Sequence, residues 1–256
     1  MDPDAVRYER EGAAAVLTID RQARRNAVDG PTAVALHEGY ERFESEDDAR
    51  VLVLTGAGGV SFCAGADLKA IDTFADRLMA PGGPMGFTRL TPSKPTIAAI
   101  SGFALAGGLE LALWCDLRIV TEGSVLGFPE RRWGVPLTDG GTQRMARVIG
   151  LGRALDLILT GRMIDAREAL QMGLITEIVP TGQHLARAIE LAQGLARFPQ
   201  NTMLADRRAA IEGLGMPLDA GLALEAQAGP EVFMDAVAGA ARFAAGEGRG
   251  GAGAGA

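Results

Sequence analysis

Glu110 is the only ionisable side chain between Ile97 and Trp114, and it stands between Leu109 and Leu111 where a core residue is expected. Burying an unpaired carboxylate is costly, so an acid kept in such a place points to use. For a desolvated carboxylate that use is proton transfer. A second acid, Glu130, follows the apolar run that begins at Leu126. From the residues alone plainer roles stay open. Glu110 could reach a cation such as Arg118, and Glu130 could join Arg131 and Arg132 in a solvated charge cluster.

Two glycine-bearing segments offer a different kind of group. Ala64-Gly-Ala-Asp-Leu68 and Leu105-Ala-Gly-Gly108 place small residues where a helix is expected to begin. Backbone N–H groups lie bare there and can approach a ligand closely. Two such donors converging on one oxygen would form an oxyanion hole, assisted by the positive end of the helix dipole. Each segment taken singly reads as a tight turn.

Other chemistries drop out. The two histidines, His37 and His184, fall in expected amphipathic helices beside charged residues and read as fillers. Cys63 and Cys115 share no metal-binding or redox spacing, so no metal site is expected. Without a histidine or cysteine cluster, nucleophilic triads have no members. Gly56-Ala-Gly-Gly-Val-Ser61 imitates a dinucleotide fingerprint, but serine replaces the third glycine and no helix follows directly.

The elements that must position the glutamates are short. Ala14–Asp20, Val51–Thr55, Thr96–Ile100, Asp116–Thr121 and Ile175–Val179 read as strands. Gly30-Pro31 opens a helix to about Glu46, with Leu36, Tyr40 and Phe43 on one face. Gly107–Trp114 reads as a helix, and further helical patterns follow Gly141. The stretch from Asp72 to Pro95 reads as irregular, the kind of segment that serves as a lid or binding loop. Strands alternating with helices, then helices alone, indicate an α/β fold with a C-terminal helical part.

The chain has 256 residues, 48% of them apolar, and a formal charge of −7. That balance suits one large α/β domain with an appendage and argues against nucleic acid as a partner. The start of the chain shows no signal-like pattern, and no apolar run reaches membrane-spanning length, so neither a membrane partner nor an anchor is expected. With the two cysteines, this leads to an expected cytoplasmic location. The boundaries expected are a core over 1–195, helices over 196–245, and a disordered Gly/Ala tail over 246–256.

Several linked motifs resemble the enoyl-CoA hydratase/isomerase (crotonase) family. They are Ser61-Phe-Cys-Ala-Gly-Ala-Asp-Leu-Lys69, Ile100-Ser-Gly-Phe-Ala-Leu-Ala-Gly-Gly-Leu-Glu-Leu-Ala112 and Gly140-Gly-Thr-Gln-Arg144. Arg25-Asn-Ala27 resembles the family's early Asn-Ala turn, and the segment from Thr160 to Ile175 its later helix pair. The similarity runs from about Ala14 to Val179.

The resemblance implies a crotonase-like spiral of ββα units, with a C-terminal helical trimerisation region that builds homotrimers or hexamers. It implies an acyl-CoA thioester as substrate and no separate cofactor, CoA being part of that substrate. The N–H groups of Ala66 and Gly107 would hold the thioester oxygen, and Glu110 and Glu130 match the two carboxylates of the hydratases. CoA would lie along Arg24, Arg25 and Ala27 and along Ala64, Ala66, Asp67 and Leu68, with Phe243 or Arg249 towards the adenine. Asp139 departs from the hydratase pattern and resembles an aspartate of the dienoyl-CoA isomerase branch, an additional acid; its plainer role is a turn or N-cap aspartate. The implied activity is hydration of a 2-enoyl-CoA. A double-bond isomerase and a catalytically silent acyl-CoA-binding protein are the alternatives.

Overall fold

Largely apolar runs of five or six residues are too short for core helices, and they form four of the six strands of the larger of two sheets in the computed structural model, which describes residues 5–247. The elements in order are β1 (Val6–Glu11), β2 (Ala14–Ile19), α1 (Gly30–Ser45), β3 (Val51–Gly56), β4 (Ser61–Cys63), β5 (Thr96–Ile100), β6 (Phe103–Leu105) and α2 (Gly107–Trp114). There follow β7 (Leu117–Thr121), β8 (Val125–Gly127), α3 (Gly141–Ile149), α4 (Leu151–Thr160), β9 (Met163–Asp165), α5 (Ala166–Met172), β10 (Glu177–Val179) and α6 (His184–Arg197). The last helices are α7 (Gln200–Gly213) and α8 (Leu218–Ala244).

The six-stranded sheet has the order β1-β2-β3-β5-β7-β10, and the four-stranded sheet the order β4-β6-β8-β9. Only β1 in the first sheet and β9 in the second run antiparallel to their neighbours. β2 and β3 are buried along their whole length, as parallel strands covered on both faces must be. Successive strands alternate between the sheets: β3 then β4, β5 then β6, β7 then β8, with a helical segment after each pair. This is the α/β spiral of ββα units that the motifs implied. The three-residue strands carry no readable periodicity. β1 alternates Val6 and Tyr8 with charged residues, as an edge strand does, and was not among the expected strands.

One boundary differs from expectation. The stretch expected to be irregular from Asp72 starts with a 3-10 segment over Leu68–Arg77, kinked at Ala70. Asp67 caps it, its carboxylate accepting from the Lys69 N–H at 3.1 Å. Beyond it, Met85 and Phe87 are buried, and Phe87 stacks on Tyr40 of α1 and packs at 4.4 Å against Trp114 of α2. The Trp114 indole N–H donates to the Leu90 carbonyl at 2.8 Å. The segment is therefore held at both α1 and α2 by aromatic contacts, rather than lying free.

The chain divides into two compact units, residues 1–192 and 193–256. The first holds both sheets and the apolar core around Phe43, Phe62 and Phe128. In the second, α7 and α8 pack together, tied by Asn201 to Asp235 at 2.8 Å and Arg208 to Glu231 at 3.5 Å. Leu222, Phe233, Met234 and Val237 of α8 are exposed. Most of the Gly/Ala tail, with Arg249, lies outside the described residues. Among the described residues no helix is long and apolar enough to cross a membrane.

Candidate active site

The turn after β2 is the first positioning device. Arg25 and Asn26 both adopt left-handed backbone conformations, with φ 51° and 55°. The Asn26 amide donates to the Ser61 and Ala57 carbonyls, at 2.6 and 3.0 Å, and its oxygen accepts from the Arg21 N–H. Val28 then bridges Ala66 in parallel register, giving its N–H to the Gly65 carbonyl at 2.8 Å and accepting from the Asp67 N–H at 2.7 Å. In a parallel bridge the central residue directs its own N–H away from that partner, so the Ala66 N–H points away from Val28.

The second device is the start of α2. Ala106 precedes the helix with φ 52° and ψ −128°, a conformation that side-chain-bearing residues rarely hold. Gly107 is the first helical residue, and its N–H has no carbonyl one turn back to bond. Two glycines bring the segments together. A Cβ on Gly108 would collide with the Cys63 carbonyl. One on Gly65, at φ +94°, would lie 2.9 Å from Ala106 Cβ and 3.0 Å from the Gly107 nitrogen. Ala66 and Gly107 thus border one cavity.

That cavity, about 390 Å³, is also lined by Glu110, Glu130 and Asp139, and by the apolar side chains of Leu68, Ile71, Leu78, Met85 and Leu137. Glu110 is buried on the first turn of α2 and does not pair with Arg118. Arg118 donates instead to the Leu174, Cys115, Ala112 and Asp116 carbonyls. Glu110 Oε1 accepts from the Gly141 N–H at 2.7 Å and the Asp139 N–H at 2.9 Å. Burial, aided by the nearby Asp139 and Glu130 carboxylates, raises its carboxyl to about 8 against the opposing pull of the two N–H groups.

Glu130 is buried at the start of the 3-10 segment Pro129–Trp133, and neither carboxylate oxygen has a hydrogen-bond partner among the described residues. Burial raises its carboxyl too. The flanking arginines turn elsewhere, Arg131 to the Ile158 carbonyl and Arg132 to the Gly161 carbonyl. A solvated charge cluster is not what forms. Asp139 is buried, and its Oδ1 accepts from the Met85 N–H at 3.0 Å and from the Thr88 hydroxyl. Burial pushes its carboxyl up as well. The aspartate is therefore neither free nor a helix cap.

The residues implied for CoA are more dispersed. Ala64, Ala66 and Leu68 line the same cavity as the glutamates. Arg24 borders a separate cavity of about 680 Å³, and Arg25 lies over the Phe103 ring at 5.3 Å. Ala27 presents its carbonyl to Arg21. Asp67 is committed to the Lys69 N–H and to Arg21, at 3.2 Å. Among the described residues no three His, Cys, Asp or Glu side chains are grouped as a metal ion would need. Thr88 and Arg144 bear on the site but were given no role from sequence; their contacts join segments more than fifty residues apart.

The raised Glu110 carboxyl has a consequence for stability. In the unfolded chain this group titrates near 4.5, whereas in the folded chain it holds its proton to about 8. The folded state binds the extra proton between those values, so its stability falls as pH rises through that window. Glu110→Gln lacks this titration and keeps an oxygen for the two N–H groups. Relative to the parent, the variant gains on the order of 4 kcal/mol between about pH 5 and pH 9. Urea midpoints across that range check it; a difference that does not change with pH contradicts it.

The chain's relatives share this arrangement's scaffold. The family model for enoyl-CoA hydratase/isomerase matches residues 9–244. The short-chain-enoyl-CoA hydratase of Clostridium acetobutylicum is 36% identical over 237 residues, covering 91% of each chain. The crotonyl-CoA hydratase of Syntrophomonas wolfei is 34% identical over 224 residues, 86% of each chain. The crystal structure of an enoyl-CoA hydratase from Mycobacterium tuberculosis superposes with a TM-score of 0.88 at 34% identity, covering 94% of this chain and 95% of that one. A ββα spiral, paired glutamates beside a glycine-built helix start, and a match over nearly the whole chain agree: the protein belongs to the enoyl-CoA hydratase/isomerase family.

Proposed function

We propose that the protein is an enoyl-CoA hydratase, adding water across the 2,3 double bond of a 2-enoyl-CoA thioester. The observation that carries this reading is the meeting of Glu110 and Glu130 in one cavity with the backbone of Ala66 and Gly107. Water attacks the β-carbon of the substrate, and the electron pair of the double bond moves towards the thioester oxygen. Donation from the Ala66 and Gly107 N–H groups stabilises that oxyanion. Glu110, in its ionised form, orients the water and accepts its proton, and a carboxyl raised to about 8 makes that form the stronger base. Glu130, protonated at the outset, delivers a proton to the α-carbon as the carbonyl re-forms. Proton exchange with water then resets the pair.

The apolar side chains of Leu68, Ile71, Leu78 and Met85 suit an acyl group. Arg24 and Arg25 offer cations for the CoA phosphates, Ala64 lines the cavity of the glutamates, and Ala27 and Asp67 are tied together through Arg21. CoA arrives with the substrate, so no separate cofactor is invoked. The exposed apolar side chains of α8 support assembly into a homotrimer or a hexamer. Two free, buried cysteines fit a cytoplasmic setting.

Crotonyl-CoA and its 3-enoyl isomer, assayed in parallel, test the reaction class. The hydratase reading expects the larger kcat/KM with crotonyl-CoA and a product heavier by one water. A larger value with the 3-enoyl thioester would make the protein an isomerase, and tight binding with no turnover a silent acyl-CoA-binding protein.

A further inference from the structure

Asp139 occupies the junction of two hydrogen-bond systems. Its backbone N–H is one of the two donors to Glu110 Oε1, at 2.9 Å, next to the Gly141 N–H at 2.7 Å. Its side chain faces the opposite partner: Oδ1 accepts from the Met85 N–H at 3.0 Å and from the Thr88 hydroxyl. Arg144 closes the ring, donating to the Asp139 carbonyl at 2.9 Å and to the Thr88 carbonyl at 2.5 Å. Asp139 and Thr88 are both buried. The loop is packed closely on this point, since a Cβ on Gly83 would lie 3.1 Å from Asp139 Oδ1.

We propose that Asp139 is a positioning residue, whose side chain anchors the 83–88 loop and thereby fixes the backbone N–H that aims Glu110. The inference rests on the hydratase reading for the task Glu110 performs, but its geometry does not depend on the substrate. Met85 lines the cavity, so one wall of the acyl site and the support of Glu110 form one piece. The two close donors to the side chain meet Oδ1, an oxygen that asparagine also carries, and the Thr138 hydroxyl reaches Oδ2 at 3.5 Å. The role therefore needs an acceptor at that place rather than a proton to exchange. Misplacing a reacting group by about 1 Å costs on the order of 10²-fold in rate, which sets the scale of the effect.

The test uses the full chain with Asp139→Ala, Asp139→Asn and Thr88→Val. With crotonyl-CoA, Asp139→Ala lowers kcat by about 10- to 100-fold while KM changes little, and Asp139→Asn restores most of that loss. Thr88→Val, which removes one of the two donors to Oδ1, lowers kcat in the same manner and to a smaller extent. Crystal structures of the variants give a readout independent of turnover: Glu110 keeps both N–H contacts in Asp139→Asn and loses the one from residue 139 in Asp139→Ala. Equal losses in the asparagine and alanine variants would overturn the proposal in favour of proton chemistry at Asp139. Parent-like kcat and an unmoved Glu110 in Asp139→Ala would overturn it outright. Should the alanine variant fail to fold, Thr88→Val decides by the same two readouts. A parent enzyme inactive on crotonyl-CoA would defeat the hydratase reading, and the crystal structures would still decide the role of Asp139.

Discussion

Glu110→Gln and Glu130→Gln each lower the turnover of a 2-enoyl-CoA by about 10²–10⁴-fold and leave binding of a non-reactive CoA ester nearly unchanged. The substitutions remove proton transfer and little else. Glutamine at 110 keeps an oxygen for the Asp139 and Gly141 N–H groups, so the side chain stays where it is. At 130 the parent carboxylate has no hydrogen-bond partner among the described residues, so glutamine breaks no contact there. Loss of kcat without a matching loss of affinity is the signature of an interaction made only in the transition state. Steady-state kinetics with titration of a saturated acyl-CoA measure both quantities. Unchanged turnover in either variant would remove that residue from the mechanism.

Gly65→Ala is expected to lower kcat by about 10²–10³-fold, the scale of losing one oxyanion donor. No side chain forms the proposed oxyanion hole, so it must be perturbed through the backbone. The added methyl would lie 2.9 Å from Ala106 Cβ and 3.0 Å from the Gly107 nitrogen, at a φ of +94° that disfavours alanine. The 64–66 segment must move off the start of α2, separating the Ala66 and Gly107 donors. Strain alone would give a different outcome, and Gly173→Ala supplies the comparison. Gly173 has φ +78° with nothing near its Cβ position, so its alanine variant loses stability but not kcat. If the two variants lose stability equally and both keep kcat, the pair of N–H groups has no part in the reaction.

How much of this was legible depends on the range of the contacts involved. Glu110 stood out because its neighbours on α2 are apolar, a local pattern that reports burial directly. The long buried strands β2, β3, β5 and β7 were readable for the same reason. The second sheet was not, since β4, β6, β8 and β9 are three residues each and owe their existence to pairing across the chain. Glu130 was ambiguous because Arg131 and Arg132 suggest a charge cluster, and only the tertiary fold sends them to the Ile158 and Gly161 carbonyls. Asp139 is the clearest case. As a turn aspartate before two glycines it looks like a cap or a spare acid, yet the donors to its Oδ1 are Met85 and Thr88, 54 and 51 residues away.

Of the CoA contacts implied by family resemblance, Asp67 has its carboxylate spent on Arg21 and the Lys69 N–H. Such a residue holds the segment that presents Ala66. Asn26, quoted only within a motif, does similar work by joining its turn to the Ala57 and Ser61 carbonyls. These are long-range hydrogen bonds made by polar side chains, and a sequence pattern carries no sign of them beyond the unusual φ an asparagine tolerates.

The most direct measurement of the central claim is turnover of crotonyl-CoA in ¹⁸O-labelled water, with the product read by mass spectrometry. A cavity that sets two glutamates and two backbone N–H groups around one thioester predicts a 3-hydroxyacyl-CoA carrying a single labelled oxygen. Glu110→Gln and Glu130→Gln form that labelled product about 10²–10⁴-fold more slowly. A product of unchanged mass with a displaced double bond, or a substrate bound and left intact, would contradict it.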